Sequence, residues 1–542
     1  MVTRTGRDAM PTVRTRTFEV LRQLGLTRMF ANPGSTEIPF LAQLPPDIEF
    51  VLALHEASVV GMASGQALAT GEPALAVVHT TAGLGNAVSA IATARDNAAP
   101  LVVLVGQQDR RHLALNPFLA GRLEGLAGRY PVSFDLPARP QDVPAAIARA
   151  WHEARHARGP AIVVVPMDDW DANADPDVHA APSAVVQGTG IDVSAVSRLA
   201  DLLNEATSPC LVVGAAADSP SCWDALVRLA ERMDCPVFQE AFGARAGFPQ
   251  DHPRFAGYLP ANRPGLRDTL APHDVVLSVG AAVFRQYPYA QGPLVHPGTR
   301  LALVTDRVDD AHRAPAELVL LGDAAGVVRA LVELAEPRTN GPATEVALEL
   351  PPPPSQGSPL RAAHVLAALG LALPAESVVV EETPSSRPLL QNLVPARSNL
   401  GFLSAANGGL GFALPASVGI RMAAPERPVI AVVGDGSSLY SFQALWSAAH
   451  YDVGVVVVVL ANGGYAIMDR LAEQAGATQP AWPAFPEIDV AALARALGCP
   501  SRTVTDLDEL NQALDDIVPT LKTRTEPVLL QVHVATEPGY QA

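Results

Sequence analysis

The chain is poor in cysteine and in positive charge, and it has no long apolar run. Its four cysteines among 542 residues, Cys210, Cys222, Cys235 and Cys499, form no Cys-x-x-Cys pair. That excludes a zinc ribbon and a disulfide framework, and it fits reduced, buried thiols. Lys and Arg number 38 against 55 Asp and Glu, a formal net charge of −17. Such a balance argues against nucleic acid or an anionic membrane as the main partner. No stretch reaches the ~18 apolar residues of a membrane span, and the run Val455–Leu460 has the length of a buried strand. The N-terminal MVTRTGRDAMPTVRTR lacks an apolar h-region, so no secretory signal is read there and a cytoplasmic location is expected. LVVGAAADSP, at 211–220, does not complete GxGxxG, so a dinucleotide fingerprint is missing as well.

What is present is apolar and regular. Hydrophobic residues make up 49% and charged residues 17%, enough for a large core. Short Val/Ile/Leu runs without alternation recur between helical patterns, among them PLVVLVGQ, PAIVVVPM, DVVLSVGA, PVIAVVGDG and VGVVVVVLAN. Strands of that kind are buried on both faces, which means parallel sheets between helices and an α/β class. Two stretches break the rhythm: DANADPDVHAAPSA from Asp171, and a proline-rich segment from Glu336 that carries four consecutive prolines. Read as linkers, they divide the chain into 1–180, 185–335 and 355–542, three doubly wound parallel-sheet domains. No short-period repeat is visible.

Residues 432–465, VVGDGSSLYSFQALWSAAHYDVGVVVVVLANGGY, carry the chemistry. The stretch reads as strand, helix, strand, with Leu439, Phe442, Leu445, Trp446 and Ala449 at helical spacing. A right-handed βαβ unit makes its two strands parallel. Asp435 and Asn462 then stand on one sheet edge, where α/β sheets bind ligands. Gly434 and Gly436 let backbone approach a ligand closely. Ser437 and Ser438 open a helix whose start favours an anion. A carboxylate, an amide oxygen and a backbone carbonyl are hard ligands that suit Mg²⁺ with diphosphate oxygens.

GDG followed 27 positions later by an Asn-Gly loop resembles the motif of thiamine-diphosphate enzymes. The resemblance implies that Asp435, Asn462 and the Gly464 carbonyl hold the metal. It also implies that Glu56, in FVLALHEASVVGMASG, hydrogen-bonds the cofactor's aminopyrimidine and drives loss of the thiazolium C2 proton. The family sets this glutamate and the diphosphate motif in different subunits, so a homodimer or homotetramer with sites at subunit interfaces is expected. Within the superfamily, NPGSTEIPFL (32–41), VVHTTAGLGNA (77–87), VGQQDR (105–110), NGGLGFALPASVG (407–419) and ANGGYA (461–466) are similar to the benzoylformate decarboxylases.

By that resemblance Ser35 binds the substrate carboxylate and His79 transfers protons near the reacting carbonyl. Gly408 offers its carbonyl to the 4′-amino group, and Leu410 bends the cofactor. Ser385 and Ser386 stand where the family has two threonines. Gly434, Gly436, Ser437, Tyr465 and Ala466 join the cofactor site. Phe118, Leu119, Ile467, Met468 and Leu471 line the substrate pocket. The family's second histidine, just after Val-Phe-Arg in the middle domain, is matched here by Tyr287. A phenol, with an ordinary pKa of about 10, is a poor proton exchanger at neutral pH.

The expected activity is decarboxylation of a 2-oxo acid with thiamine diphosphate and Mg²⁺, together with ligation of aldehydes to 2-hydroxy ketones. Small 2-oxo acids and aldehydes are the expected partners. Two alternatives stay open on the sequence: a carboligase or lyase of the acetolactate synthase kind, and a cofactor-binding homologue without catalysis.

Overall fold

The computed structural model of the protein describes residues 10–175, 185, 190–283, 285–339, 349–355 and 357–537. Part of each linker (176–184 and, in the second, 340–348 and Gln356), the first nine residues, 186–189, Phe284 and the last five residues lie outside them. The described chain holds three six-stranded sheets, and every strand pair within them is parallel. The α/β expectation is thereby met. The central strands Leu101–Gln107, Pro160–Pro166 and Val456–Ala461 are buried along their whole length. Covered on both faces, they need apolar side chains at every position.

The first and third sheets share one topology. Numbered within each domain, both run in the order second, first, third, fourth, sixth, fifth. The middle sheet runs sixth, fifth, fourth, first, second, third, with its crossover between Pro209–Val213 and Val275–Val279. The repeated topology left no trace as a sequence repeat, because a buried parallel strand demands only bulk and β-branching, which many sequences supply.

Two helices of small residues join the first and third domains. Helix Glu56–Thr70 lies against helix Ala413–Ala423. A Cβ on Gly65 would fall 2.1 Å from the Ala416 carbonyl oxygen, and one on Gly419 would fall 1.9 Å from that of Met62. Glycine at these positions lets two backbones touch, and the largest apolar cluster runs through both domains.

One expectation needs correction. The helix expected between the two strands, over SSLYSFQALWSAAHYD (437–452), is two pieces, a single turn Asp435–Ser438 and a helix Ala444–His450. The Ser438 hydroxyl donates to the Asp435 carbonyl at 2.7 Å, and the Ser437 hydroxyl donates to the Glu382 carbonyl at 2.8 Å. Serines that bond backbone in this way compete with helix propagation. Among the described residues no helix is long and apolar enough to cross a membrane.

Candidate active site

Strand Val429–Gly434 ends in Asp435, and its neighbour Val456–Ala461 ends in Asn462. The register aligns Gly434 with Leu460, so the two βα turns meet at one edge. Asp435 is buried, and its carboxylate accepts the Gly436 N–H at 2.8 Å and the Gly463 N–H at 2.6 Å. Burial raises its pKa, and the N–H groups of the two turns oppose that rise. Asn462 accepts the Gly464 N–H at 3.0 Å. Gly436 has no room for a side chain, since a Cβ would lie 2.5 Å from the Tyr465 ring.

Above these turns lies a cavity of about 500 Å³. Ser385, Ser386, Gly408, Leu410, Gly434, Asp435, Gly436 and Ser437 line it on one side, and Asn462, Gly464, Tyr465, Ala466, Ile467 and Met468 on the other. Ser385 accepts the Ile467 N–H at 3.0 Å and ties the two walls together. Trp482, which no motif or periodicity singles out, is also in the wall, its indole N–H donating to Asp469 at 2.9 Å. Leu471 is partly buried but does not line the cavity.

The oxygen donors of Asp435, Asn462 and Gly464 suit a small hard cation. Among the described residues no three His, Cys, Asp or Glu cluster to form a metal cage. A single carboxylate with two neutral oxygens leaves the remaining positions of an octahedron for phosphate oxygens and water. The donor set thus fits Mg²⁺ held jointly with a diphosphate.

A second group of residues stands in the first domain, away from this cavity. Glu56 opens its helix and is buried, with Asn32 donating to one carboxylate oxygen and Asn86 to the other, both at 3.0 Å. Strand Arg28–Asn32 pairs with strand Ala74–Val78, Asn32 opposite Val78. This register sets the turn at 33–37 beside His79. Glu37, absent from the sequence-based candidates, lies 2.9 Å from His79 Nδ1 and accepts the Gly34 N–H at 2.7 Å. The Thr36 hydroxyl donates to Glu37 at 2.6 Å and lies 3.0 Å from His79 Nδ1. A buried carboxylate on Nδ1 fixes the ring's orientation and leaves Nε2 for other work. Thr80, next in the chain, has φ +35°. A β-branched residue there is strained, and such strain clusters at functional positions.

Ser35 is exposed on the same turn. Phe118 (86% exposed) and Leu119 (37%) sit on the loop after Leu101–Gln107. Tyr287 is 54% exposed, and its N–H donates to the Ala261 carbonyl at 2.9 Å. None of Ser35, Glu56, His79, Phe118, Leu119 or Tyr287 lines the cavity. All of its lining residues fall between 362 and 537.

The middle domain's own crossover point is closed by an acid. Glu240 accepts the Ala282 N–H at 2.8 Å and is also bonded by the Ala215 N–H. A Cβ on Gly214 would strike the Glu240 carboxylate. Burial pushes this carboxyl up to about 7. Backbone donors that greet a phosphate in dinucleotide folds are here taken by a side chain.

Fold and site together define an α/β enzyme that holds a diphosphate-bearing cofactor at the edge of a parallel sheet. Three family patterns match in chain order: "Thiamine pyrophosphate enzyme, N-terminal TPP binding domain" over 11–124, the central domain over 196–331 and the C-terminal TPP binding domain over 387–532. A benzoylformate decarboxylase of Pseudomonas aeruginosa is 36% identical over 533 residues, covering 97% of this chain and 99% of that protein. A thiamine diphosphate-dependent 4-hydroxybenzoylformate decarboxylase of Rhodococcus jostii superposes with TM-score 0.92 at 34% identity, over 97% of this chain and 100% of that one. A benzoylformate decarboxylase of Polynucleobacter necessarius gives TM-score 0.92 at 33% identity, over 97% and 99%. Acetolactate synthases stand further off, at 28% identity or less. The chain belongs to the thiamine pyrophosphate enzyme family and, within it, to the thiamine-diphosphate-dependent 2-oxo acid decarboxylases of the benzoylformate decarboxylase type.

Proposed function

We propose that this enzyme decarboxylates an aryl-substituted 2-oxo acid of the benzoylformate kind, using thiamine diphosphate with Mg²⁺, and that it also ligates aldehydes to 2-hydroxy ketones. The observation that carries the reading is the convergence of Asp435, Asn462 and Gly464 with Gly408 and Leu410 on one cavity. Asp435, Asn462 and the Gly464 carbonyl hold the metal, and Ser385, Ser386, Gly434, Gly436, Ser437, Tyr465 and Ala466 surround the diphosphate. The cofactor, when bound, supplies the electron sink into which the carbon–carbon bonding pair flows as CO₂ leaves.

The chain's own groups do the rest. Ser35 holds the substrate carboxylate, and Glu56 bonds the aminopyrimidine. His79, oriented by Glu37, moves a proton near the reacting carbonyl through Nε2. Ile467 and Met468, with Phe118 and Leu119, enclose the substituent. Since the cavity is walled by one domain while Ser35, Glu56 and His79 stand on another, the working site takes its first-domain residues from a second copy. The exposed Leu115 and Phe118 support that reading, because apolar side chains of this size favour burial against a partner.

The test is turnover of benzoylformate, 4-hydroxybenzoylformate and pyruvate with thiamine diphosphate and Mg²⁺, reading CO₂ and hydroxyketone separately. Aryl substrates should lead. Pyruvate turned over preferentially to a hydroxyketone acid would move the enzyme to the acetolactate synthase side. No turnover of any 2-oxo acid by the cofactor-loaded oligomer would overturn the reading.

A further inference from the structure

The loop at 405–413 contributes Gly408 and Leu410 to the cavity, and side chains from all three domains hold it. Asn97 of the first domain accepts the Ala406 N–H at 2.7 Å and donates to the Ser404 carbonyl at 2.9 Å. Arg285 of the middle domain donates to the Ala406 carbonyl at 2.8 Å. From the third domain, Glu382 accepts three consecutive N–H groups, those of Gly411, Phe412 and Ala413, at 2.8, 2.8 and 2.9 Å.

Those three donors open helix Ala413–Ala423, and its cap residue Phe412 brings no side-chain acceptor. The first N–H groups of a helix need acceptors from elsewhere. A carboxylate meets them with charge-assisted bonds at the positive end of the helix. Glu382 is 4% exposed and does not line the cavity. Its main chain is engaged too, because its carbonyl accepts the Ser437 hydroxyl at 2.8 Å. One residue is therefore bonded to two walls, the turn that carries Asp435 and the loop that carries Gly408 and Leu410. The loop contains two left-handed residues, Gly408 at φ +72° and Gly411 at φ +93°. Glycines reach this conformation freely but also leave it freely, so its shape depends on the tethers.

We propose that Glu382 is a positioning residue for the cofactor. It sets Gly408 and Leu410 in the shape that receives the pyrimidine side of thiamine diphosphate before the cofactor arrives. The inference rests on the cofactor reading above. Preorganisation of this kind shows as affinity, because the ordering cost has been met in the free protein.

The experiment compares wild type with Glu382→Gln and Glu382→Asp. Thiamine diphosphate binding in the presence of Mg²⁺ is measured by calorimetry, and amide exchange over 405–413 is followed in the cofactor-free protein. Glu382→Gln keeps the volume but turns one acceptor into a donor aimed at N–H groups. It should weaken cofactor binding about tenfold to a hundredfold. Exchange at 408–413 should quicken while strand Val378–Glu382 stays protected. At saturating cofactor, KM for the 2-oxo acid should hold within about twofold. Glu382→Asp keeps the charge and should recover part of the affinity.

A folded Glu382→Gln protein that binds the cofactor like wild type overturns the proposal. So does exchange that rises evenly across the third domain, which marks a general packing role. If Glu382→Gln does not fold, Glu382→Asp decides, and unchanged affinity there is equally fatal. Failure of wild type itself to bind thiamine diphosphate would instead sink the cofactor reading.

Discussion

The Asp435 carboxylate accepts the Gly463 N–H at 2.6 Å, so the acid of one βα turn clasps the backbone of the next. The clasp ties the turn that carries Asn462 and Gly464 to the turn that carries Asp435. Replacing Asp435 by alanine removes the sole carboxylate among the three proposed ligands and the clasp together. Asp435→Ala should lower thiamine diphosphate affinity by about a hundredfold or more, because the diphosphate charge is left uncompensated. Calorimetry in Mg²⁺ reads this directly, and affinity within threefold of wild type would sink the metal assignment.

Glu37 gives a separable prediction. It lies on His79 Nδ1 while touching nothing in the cofactor cavity. Glu37→Gln should leave thiamine diphosphate binding intact and lower kcat by about tenfold to a hundredfold, since outer partners that orient an imidazole are worth that much. A pH–rate profile adds the discriminating readout, because losing the carboxylate that orients a proton-transferring imidazole changes the profile, whereas losing a packing contact does not. An unchanged kcat and profile would make Glu37 a packing residue.

Glu56 receives one amide donor on each carboxylate oxygen, from Asn32 and Asn86. Glu56→Gln preserves shape and loses the ionisable group. Exchange of the cofactor's C2 proton for deuterium should slow by about two orders of magnitude or more, while cofactor affinity changes far less. Exchange at the wild-type rate would reject the role.

Buried acids make a pH prediction. Burial pushes Glu240 and Glu382 up to about 7 from an ordinary value of 4.5. A carboxyl raised in the folded state favours folding below pH 4.5. That contribution is lost as pH climbs from 4.5 to 7, where the unfolded chain ionises first. For Glu240 the loss is up to about 3 kcal/mol. Urea midpoints at matched protein concentration should fall between pH 5 and 7.5. The fall should be smaller in Glu240→Gln, which carries no titrating group there. Equal slopes in both proteins would show that Glu240 ionises normally.

Much of this was legible beforehand. Strands buried on both faces write themselves as unalternating Val/Ile/Leu runs, and two polar strand ends in one βαβ unit must share an edge. That reasoning reached Asp435 and Asn462 without a structure. It could not reach Glu37 or Glu382. An acid at a helix start, like Glu37, or at a strand end, like Glu382, reads alike whether it faces water or grips a histidine or a loop's N–H groups. The grip depends on partners 42 and 29 to 31 positions away. Trp482 enters the wall from an irregular segment whose path no periodicity specifies. The split of the 437–452 helix turned on serine hydroxyls that find backbone acceptors, a choice made by local geometry.

Tyr287 carries the last prediction. The middle-domain segment that bears it is anchored to the cofactor loop by Arg285, two residues earlier, through the Ala406 carbonyl. Tyr287 itself is half exposed in the single chain, and its main-chain N–H donates to the Ala261 carbonyl. If its phenol replaces the histidine of related decarboxylases, protonation of the carbon that has lost CO₂ is slow, because a phenol exchanges protons poorly near neutral pH. The longer that carbon waits, the more often an acceptor aldehyde captures it, so hydroxyketone should be a large share of product. Tyr287→His should shift the ratio toward free aldehyde, by about threefold or more at saturating acceptor, since imidazole titrates near the working pH. Tyr287→Phe should leave the ratio near that of wild type, or lower both rates together. A ratio unmoved by Tyr287→His, with the variant folded and cofactor-loaded, would remove Tyr287 from proton transfer. The 285–287 segment would then serve only to pin Ala406 and the loop that follows it.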